Sequence, residues 1–157
     1  MDVPRPTDHH ARLADLAGTW VGTDVAYLPD GSTARFGGRY DQRLDLDGWF
    51  LAIDYAQEAD GAVRYRMRAV IGWLPAEERY FMHWYDSFGG SSTELRGDWD
   101  GDALVLTGPD PQEGGLTRFS WRVTGNRLAI TLDASDEEGT TWVRRLDADY
   151  ARAGDAG

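Results

Sequence analysis

The sequence predicts an all-β protein, a single antiparallel up-and-down β-barrel of about ten strands with a short N-terminal helix. Asp-Gly pairs begin at residues 30, 47, 60 and 100, and Gly125-Asn126 and Glu138-Gly139 give two further turn signals. The runs between these turns are rich in Val, Tyr, Trp, Phe and Thr, which is typical of strands joined by hairpins. Closing consecutive hairpins into a barrel pairs the edges of every strand, so a barrel is the simplest architecture for such a chain.

The bounds of the elements follow from these turn positions. Thr7 or Asp8 can cap a short helix that Gly18 ends. The strands predicted after it are 18–27, 33–45, 48–58, 62–74, 79–87, 92–99, 102–107, 116–124, 127–134 and 140–150. Because no linker, repeat or shift in composition interrupts the chain, we expect one domain. The predicted division is an N-terminal tail, a barrel domain and a C-terminal tail: residues 1–7, 8–152 and 153–157.

Charge and composition exclude several classes of function. The chain has 157 residues and a formal net charge of −11, and an acidic domain repels both nucleic-acid phosphates and anionic membrane surfaces. It contains no Cys, which excludes disulfides, zinc–thiolate sites and iron–sulfur clusters, and no Lys, which excludes Schiff-base chemistry. No two histidines have zinc-binding spacing, so no metal site is expected. The N-terminus lacks the apolar stretch of a signal peptide, and we expect a cytoplasmic protein.

Alternation along the strands predicts which side chains face the barrel interior. The expected inner-face residues of three strands are Val63, Tyr65, Met67, Ala69, Ile71 and Trp73; Trp49, Leu51, Ile53 and Tyr55; and Phe119, Trp121 and Val123. Arg64, Arg66 and Arg68 then form an outer, solvated face, and a three-residue loop at 59–61 would place Asp54 opposite Arg66. In the last strand Trp142, Arg144, Leu146 and Tyr150 are predicted to share one face.

The first strand suggests a barrel with an internal cavity. Trp20, Gly22, Asp24 and Ala26 alternate along it, and a Gly after a Trp on one face leaves space beside the large ring. The competing interpretation is that the seven Trp and seven Tyr pack a solid core.

Several motifs resemble known barrel families. Gly18-Thr19-Trp20 after a short helix resembles the start of the calycin superfamily, the lipocalin-like and fatty-acid-binding-like barrels. The four segments that follow this Gly-x-Trp are more specific: 46–51 (LDGWFL), 71–75 (IGWLP), 84–90 (WYDSFGG) and 97–102 (GDWDGD). Together they resemble the DUF1579 family of small bacterial domains over residues 11–152. The resemblance implies a lipocalin-like barrel and supplies no catalytic residues. It also implies that an Arg from a late strand covers Trp20, and Arg144 or Arg145 would take that part.

The nitrobindin-like barrels, a related branch, share Gly18, Trp20 and Gly22 with this chain through the pattern G-x-W-x-G. They hold haem through a His late in the chain, whereas this sequence has no His after His83. This departure from the nitrobindin-like pattern argues against haem, and we expect no cofactor. His83 in a middle strand is the remaining axial ligand for a haem-binding alternative.

Two carboxylates and one His are the candidate polar groups. Asp24 shares a face with Trp20, and a buried carboxylate needs partners. Asp86 precedes the glycine-rich segment 87–92, which is either a lid or a plain hairpin connection. The face of His83 depends on the loop that starts at Pro75. A four-residue loop puts Tyr80, Met82, Trp84 and Asp86 inside and His83 outside, whereas a five-residue loop puts Phe81, His83 and Tyr85 inside.

The sequence thus predicts a barrel that binds a small, mostly hydrophobic molecule. The expected ligand-binding residues are Trp20, Asp24, Tyr65, Met67, Trp84, Trp121, Trp142 and Arg144. The alternative is a cofactor-independent cyclase or isomerase of a hydrophobic metabolite, with Asp24, His83 and Asp86 as the catalytic candidates. A haem-binding barrel is the third hypothesis. Exposed aromatic residues on the outer faces of strands 48–58 and 79–87 suggest a possible homodimer.

Overall fold

The computed structural model is a closed barrel of ten antiparallel strands, and it describes residues 1–136 and 138–154. The strands are β1 (Gly18–Tyr27), β2 (Thr33–Asp45), β3 (Phe50–Ala59), β4 (Ala62–Leu74), β5 (Arg79–Asp86), β6 (Ser92–Asp100), β7 (Ala103–Pro109), β8 (Leu116–Thr124), β9 (Arg127–Ser135) and β10 (Trp142–Arg152). Each strand pairs with its neighbours in sequence, and β1 also pairs with β10. The predicted up-and-down barrel is therefore confirmed. Residues 155–157 of the predicted C-terminal tail lie outside the described residues.

The predicted N-terminal helix is also confirmed, and it covers one end of the barrel. It consists of α1 (Asp8–Arg12) and a 3-10 turn (Leu13–Leu16). Leu13 and Leu16 are completely buried. The Leu16 carbonyl accepts hydrogen bonds from Trp20 Nε1 at 3.1 Å and from Gln42 Nε2 at 3.0 Å. These bonds hold the helical segment against the barrel, and we call this the closed end.

Five hairpin loops surround the opposite end, which we call the open end. They join β1 to β2, β3 to β4, β5 to β6, β7 to β8 and β9 to β10, and their described residues are 28–32, 60–61, 87–91, 110–115, 136 and 138–141. The loop 87–91 is held by hydrogen bonds, because Ser87 N donates to the Arg66 carbonyl and Asp86 N donates to the Ser91 carbonyl, both at 2.9 Å. Of the two alternatives, lid or hairpin connection, the loop has the form of a hairpin connection fixed by hydrogen bonds.

The inner and outer faces of β4 and β5 lie as alternation predicts. Met67, Ala69 and Ile71 are buried, whereas Val63 at the start of β4 is exposed. The β4–β5 loop has four residues, since Leu74 pairs with Arg79. The first of the two predicted alternatives therefore holds, and Tyr80, Met82 and Trp84 are buried while His83 points outward.

Two details around β3 differ from the prediction. The strand begins at Phe50 rather than at residue 48, because residues 46–48 form a 3-10 turn in which Leu46 and Asp47 have left-handed φ values of 48° and 59°. Asp54 pairs with Arg68 rather than with Arg66. The turn at 60–61 has two residues instead of three, and a bulge at Arg64 shifts the register beyond it. The outer-face ion pair is thus Arg68 with Asp54, at 2.9 Å.

A bulge in β10 overturns the predicted face of its first residues. Arg144 pairs with Asp133 and Leu146 pairs with Leu132, so Arg145 is an extra residue that reverses the alternation. Leu146, Ala148 and Tyr150 consequently pack inward, as the alternation predicts for Leu146 and Tyr150. Trp142 and Arg144 lie on the outer face instead. Trp142 stacks under the Arg118 guanidinium, and Arg144 Nε donates to Asp133 Oδ1 at 2.6 Å.

The Arg that covers Trp20 is Arg152, and the expectation of Arg144 or Arg145 was wrong. Because β10 continues two residues past its predicted end, Trp20 pairs with Arg152. The guanidinium carbon lies 4.1 Å from the Trp20 ring centroid, and Nη1 donates to the Ala17 carbonyl at 2.7 Å. Gly18 has a φ of 140°, and a Cβ atom there would collide with the same guanidinium. The Gly-x-Trp pattern therefore makes room for the Arg as well as supplying the ring.

We expect Arg152→Ala to lower the free energy of unfolding by about 1–2 kcal/mol, because it removes both the cation–π contact and the hydrogen bond. Chemical denaturation measures the loss, and Trp20 emission should shift to longer wavelength as water reaches its ring. Arg122→Ala is the matched control, since Arg122 forms an exposed ion pair with Asp102 at 2.8 Å and such pairs contribute about 0–1 kcal/mol. Equal losses in the two variants would contradict a sealing role for Arg152.

Candidate functional site

A cavity of about 210 Å³ lies inside the barrel in the half nearer the open end. It is lined by inward-facing side chains of eight strands: Ala26, Phe36, Tyr40, Tyr55, Gln57, Tyr65, Met67, Trp84, Phe119, Leu132 and Leu146. Most of these side chains are apolar or aromatic. A concave site with apolar walls and few polar groups is the usual form of a small-molecule site.

Asp24 is buried directly behind the cavity wall, with 1% of its surface exposed. Its carboxylate accepts hydrogen bonds from the hydroxyls of Tyr55 and Tyr150 and from Gln57 Nε2, the last at 3.0 Å. Tyr55 and Gln57 themselves line the cavity. A carboxylate with three donors is well satisfied even though none of the described ion pairs includes it.

Two glycines make this arrangement possible. Gly38, Gly22 and Tyr150 lie side by side across β2, β1 and β10. A Cβ atom on Gly38 would collide with the Tyr150 ring and hydroxyl, and one on Gly22 would collide with the backbone of β10. The Tyr150 side chain therefore lies across the inner face and reaches Asp24. The prediction of open space beside Gly22 is wrong, because the backbone of β10 approaches Gly22 closely and the Tyr150 side chain fills the space beside it.

Asp86 forms a second carboxylate centre near the rim of the cavity. Its Oδ2 atom accepts hydrogen bonds from the Tyr65 hydroxyl at 2.8 Å and from Trp84 Nε1 at 3.0 Å. Its Oδ1 atom accepts from the backbone N–H of Phe88 at 2.9 Å. Tyr65 and Trp84 line the cavity, so this carboxylate also lies behind wall residues.

Burial and the two carboxylates keep the phenols in this region protonated. Burial raises the pKa of Tyr55 and Tyr150, and the nearby negative charge of Asp24 raises both further. Burial likewise raises the pKa of Tyr65, with the hydrogen bond to Asp86 as the next cause. All three hydroxyls are therefore donors to a carboxylate at neutral pH.

The structure brings together part of the predicted ligand-binding set. Tyr65, Met67 and Trp84 line the cavity, and Asp24 lies behind its wall. Trp20 and Trp121 are fully buried in the core and are not among the described lining residues. Trp142 and Arg144 lie on the outer face, as described above.

Sequence reasoning missed Phe36, Tyr40 and Gln57 as lining residues. A usable signal was present, because Phe36, Gly38, Tyr40 and Gln42 alternate along β2 opposite the inward face of β1. The turn at Asp30-Gly31 fixes that pairing, so the register of the first hairpin would have placed Phe36 across from Asp24.

Comparisons with known proteins place the chain in a family. Residues 5–152 match the family described as "Protein of unknown function (DUF1579)". The chain belongs to this family. No curated protein matches this DUF1579 chain significantly in sequence. The solved structure titled "Crystal Structure of Rv2717c from M. tuberculosis" is similar in fold, with a TM-score of 0.69, 16% sequence identity, and coverage of 94% of this chain and 99% of that one. Among the described residues of the DUF1579 barrel, no helix has the length and apolar character needed to cross a membrane.

The histidines of this DUF1579 chain do not suit a haem inside the cavity. His83 lies on the outer face with 55% of its side chain exposed, and Nδ1 is 3.8 Å from Glu94. His9 and His10 belong to the helix at the closed end, where His9 stacks on Trp73 at 3.8 Å between ring centroids. None of the three is among the described lining residues, and a cavity of about 210 Å³ is too small for a porphyrin. The site residues therefore do not fit the haem that the nitrobindin-like resemblance raised.

Proposed function

We propose that this protein binds a small, mostly hydrophobic molecule inside a calycin-like barrel. The observation that supports this best is the apolar cavity of about 210 Å³, which lies at the open end while the helix covers the other. An apolar protein cavity of about 150 Å³ holds benzene. The cavity here therefore has room for one ring with a short substituent.

The proposed contacts follow from the cavity wall. Met67, Trp84 and Phe119 offer apolar and aromatic surface to the ring of the ligand. The oxygen atoms of Tyr55 and Tyr65, each held by a carboxylate behind it, are the groups available to a polar atom of the ligand. Arg144 has no part in this proposal, because it lies outside the barrel and pairs with Asp133 and Asp147.

An enzyme on the same barrel has less support. The three candidate catalytic residues do not converge, since His83 is on the outer face while Asp24 and Asp86 lie behind the cavity wall. The phenols that do face the cavity have raised pKa values. A general acid works best when its pKa lies near the working pH, so these hydroxyls are poor proton donors in catalysis.

Filling the cavity from its wall tests the proposal. We expect Ala26→Leu to abolish binding of single-ring compounds such as toluene or 2-phenylethanol, because the larger side chain occupies the ligand's space. For ligands of this size we expect Kd values in the micromolar to millimolar range. Ligand-observed NMR or calorimetry measures them, and native mass spectrometry of freshly purified protein shows whether a ligand is retained.

Ala129→Leu is the matched control, because it makes the same substitution at an exposed position on the outer face of β9. Its binding should equal that of the unchanged protein. If neither a retained ligand nor binding of any single-ring compound is found, the binding proposal is wrong. If Ala26→Leu binds as well as Ala129→Leu, the ligand lies elsewhere.

The predictions about partners and cellular location rest on the amino-acid sequence alone. A cytoplasmic location, a homodimer, and the lack of nucleic-acid or membrane partners stay predictions. Gel filtration with light scattering would decide the oligomeric state directly.

A further inference from the structure

Four polar side chains of the cavity wall share one feature: each donates a hydrogen to a carboxylate behind the wall. The hydroxyls of Tyr55 and Tyr65, the indole N–H of Trp84 and the amide Nε2 of Gln57 all donate to Asp24 or Asp86. Each of these four side chains also lines the cavity. Tyr40 is a described lining phenol outside this pattern, and its ring stacks on Tyr55 at 4.3 Å between centroids.

What these side chains offer a ligand is mainly acceptor oxygen. A phenol hydroxyl carries two lone pairs besides its hydrogen, and an amide carries a carbonyl oxygen. Tyr55 and Tyr65 therefore present oxygen atoms to the cavity after their only hydrogens are donated. Gln57 presents its carbonyl oxygen and keeps one of its two N–H groups. A ligand whose polar atom is an acceptor would face these lone pairs and receive no hydrogen bond from the two phenols. The ligand atom and the phenol oxygens would then lose their contacts with water without replacing them.

The charged groups directly behind the cavity wall are both carboxylates. Asp24 and Asp86 lie immediately behind the wall, and no described lining residue is Arg or His. The loops of the open end add acidic residues and, in the part that the structure describes, no basic ones. Their described acidic residues are Asp30, Asp60, Asp110, Glu113, Asp136 and Glu138. Carboxylates of one sign around a low-dielectric opening attract cations and repel anions.

The aromatic walls suit the same kind of ligand. Phe36, Tyr40, Trp84 and Phe119 offer ring faces or edges to the cavity. A cation near the face of an aromatic ring is attracted by the negative charge on that face, and the attraction grows when water is excluded. Anionic ligands gain nothing from such walls.

We infer that the ligand is a small organic amine, bound as its ammonium form, with the nitrogen directed at the oxygens of Tyr55 and Tyr65. This inference rests on the proposed function and adds the ligand's chemical class. The cavity volume limits the amine to about one ring and a short chain. Two of the three ammonium hydrogens then meet a phenol oxygen whose own hydrogen is held by a carboxylate, so the negative charge acts through the phenols.

Three probes of nearly equal size test the inference by calorimetry at neutral pH: 2-phenylethylamine, 2-phenylethanol and phenylacetate. We expect the amine to bind at least about tenfold more tightly than the alcohol, a difference of about 1.4 kcal/mol. Phenylacetate should show no measurable binding, because its carboxylate would lie beside Asp24 and Asp86 with no Arg or His among the described lining residues. Raising the salt concentration should weaken the amine and leave the alcohol unchanged.

Asp86→Asn then removes one carboxylate and keeps the shape of the side chain. We expect the amine affinity to fall about fivefold while the alcohol affinity stays the same. Asp54→Asn is the matched control, because Asp54 is half-buried on the outer face in ion pairs with Arg43 and Arg68. It should change neither affinity.

The outcomes separate the two proposals. If 2-phenylethanol or phenylacetate binds as tightly as the amine, the amine inference is overturned while the binding function stands. If none of the three probes binds the unchanged protein, the amine inference is overturned, and the binding function falls with it when no retained ligand and no other single-ring compound is found either. Equal loss of amine binding in Asp86→Asn and Asp54→Asn would show general electrostatic attraction and would also overturn the assigned site.

Discussion

Asp24→Ala should lower the free energy of unfolding by about 2–4 kcal/mol, one of the two largest effects expected in this protein. The substitution takes the acceptor away from the hydroxyls of Tyr55 and Tyr150 and from Gln57 Nε2. Tyr150 is completely buried and Tyr55 nearly so, and these two hydroxyls therefore lose their partner without access to bulk water. A buried donor left without an acceptor costs about 1–3 kcal/mol.

Two opposing effects reduce this loss without reversing it. Removing a buried carboxylate also removes the cost of taking its charge out of water, and that by itself favours the variant. Water can enter through the cavity beside Gln57 and satisfy part of the vacated site. Tyr150 lies in a row with Gly22 and Gly38, is completely buried and is not among the described lining residues of the cavity, so its hydroxyl is the less accessible of the two to that water. The Tyr150 hydroxyl, which loses its acceptor, therefore makes the Asp24→Ala variant less stable on balance.

Chemical denaturation of three variants measures the effect. Asp24→Asn keeps an acceptor oxygen and should lose less than Asp24→Ala. Asp54→Ala is the control, because that carboxylate is on the outer face and its exposed ion pairs contribute about 0–1 kcal/mol. Combining Asp24→Ala with Tyr150→Phe removes donor and acceptor together, and the double variant should be more stable than the sum of the single losses. Additive losses would show that Tyr150 does not depend on Asp24.

Much of the fold could be predicted because local turn chemistry and alternation agree. The Asp-Gly pairs mark four of the nine strand connections, and β4 carries its apolar residues at every second position. These two signals fix the number of strands and the inward side of β3, β4 and β8. The inward face of β5 needed only the loop length at Pro75.

The parts that failed depend on contacts between distant strands. The bulge at Arg145 has no turn residue to announce it, yet it moves Trp142 and Arg144 out of the interior. The Arg over Trp20 depends on how far β10 runs and on its pairing with β1, which closes the barrel. The partners of Asp24 come from β3 and β10, which are remote in sequence. Alternation in one sequence predicts which face of a strand each side chain occupies. Predicting these contacts also requires the register in which distant strands pair.

The stability of this protein should fall steeply above pH 10, and buried phenols are the reason. Burial raises the pKa of Tyr40, Tyr55 and Tyr150 above the ordinary value of 10.0, and the charge of Asp24 is a further cause for each. In the unfolded chain these phenols lose their protons at about pH 10. Above that pH the unfolded state binds fewer protons than the folded state, so the free energy of unfolding decreases as pH rises.

The expected slope is large because Tyr65, whose pKa burial also raises, acts together with these three phenols. Each phenol that stays protonated only in the folded state contributes a loss of about 1.4 kcal/mol per pH unit, so four contribute about 5–6 kcal/mol per pH unit. A domain with an ordinary stability of about 5–15 kcal/mol would then unfold within a few pH units. Below pH 10 the same groups contribute their full stabilisation. Denaturation curves at successive pH values measure the slope, and the absorbance of tyrosinate follows ionisation in the same samples.

The composition makes this titration unusually simple to interpret. The chain has no Lys and no Cys, so Tyr side chains are the groups that titrate between about pH 9 and 12, below Arg. Growing repulsion in an acidic protein also destabilises it at high pH, but about 0.5 M salt screens that effect and leaves the phenol effect in place. Tyr150→Phe should reduce the slope by about a quarter. A slope that disappears in salt, or tyrosinate absorbance that reaches its full value before unfolding begins, would show that the cavity phenols ionise in the folded barrel. Asp24 could then not be held by protonated hydroxyls, and the acceptor-lined wall on which the amine inference depends would not exist at alkaline pH.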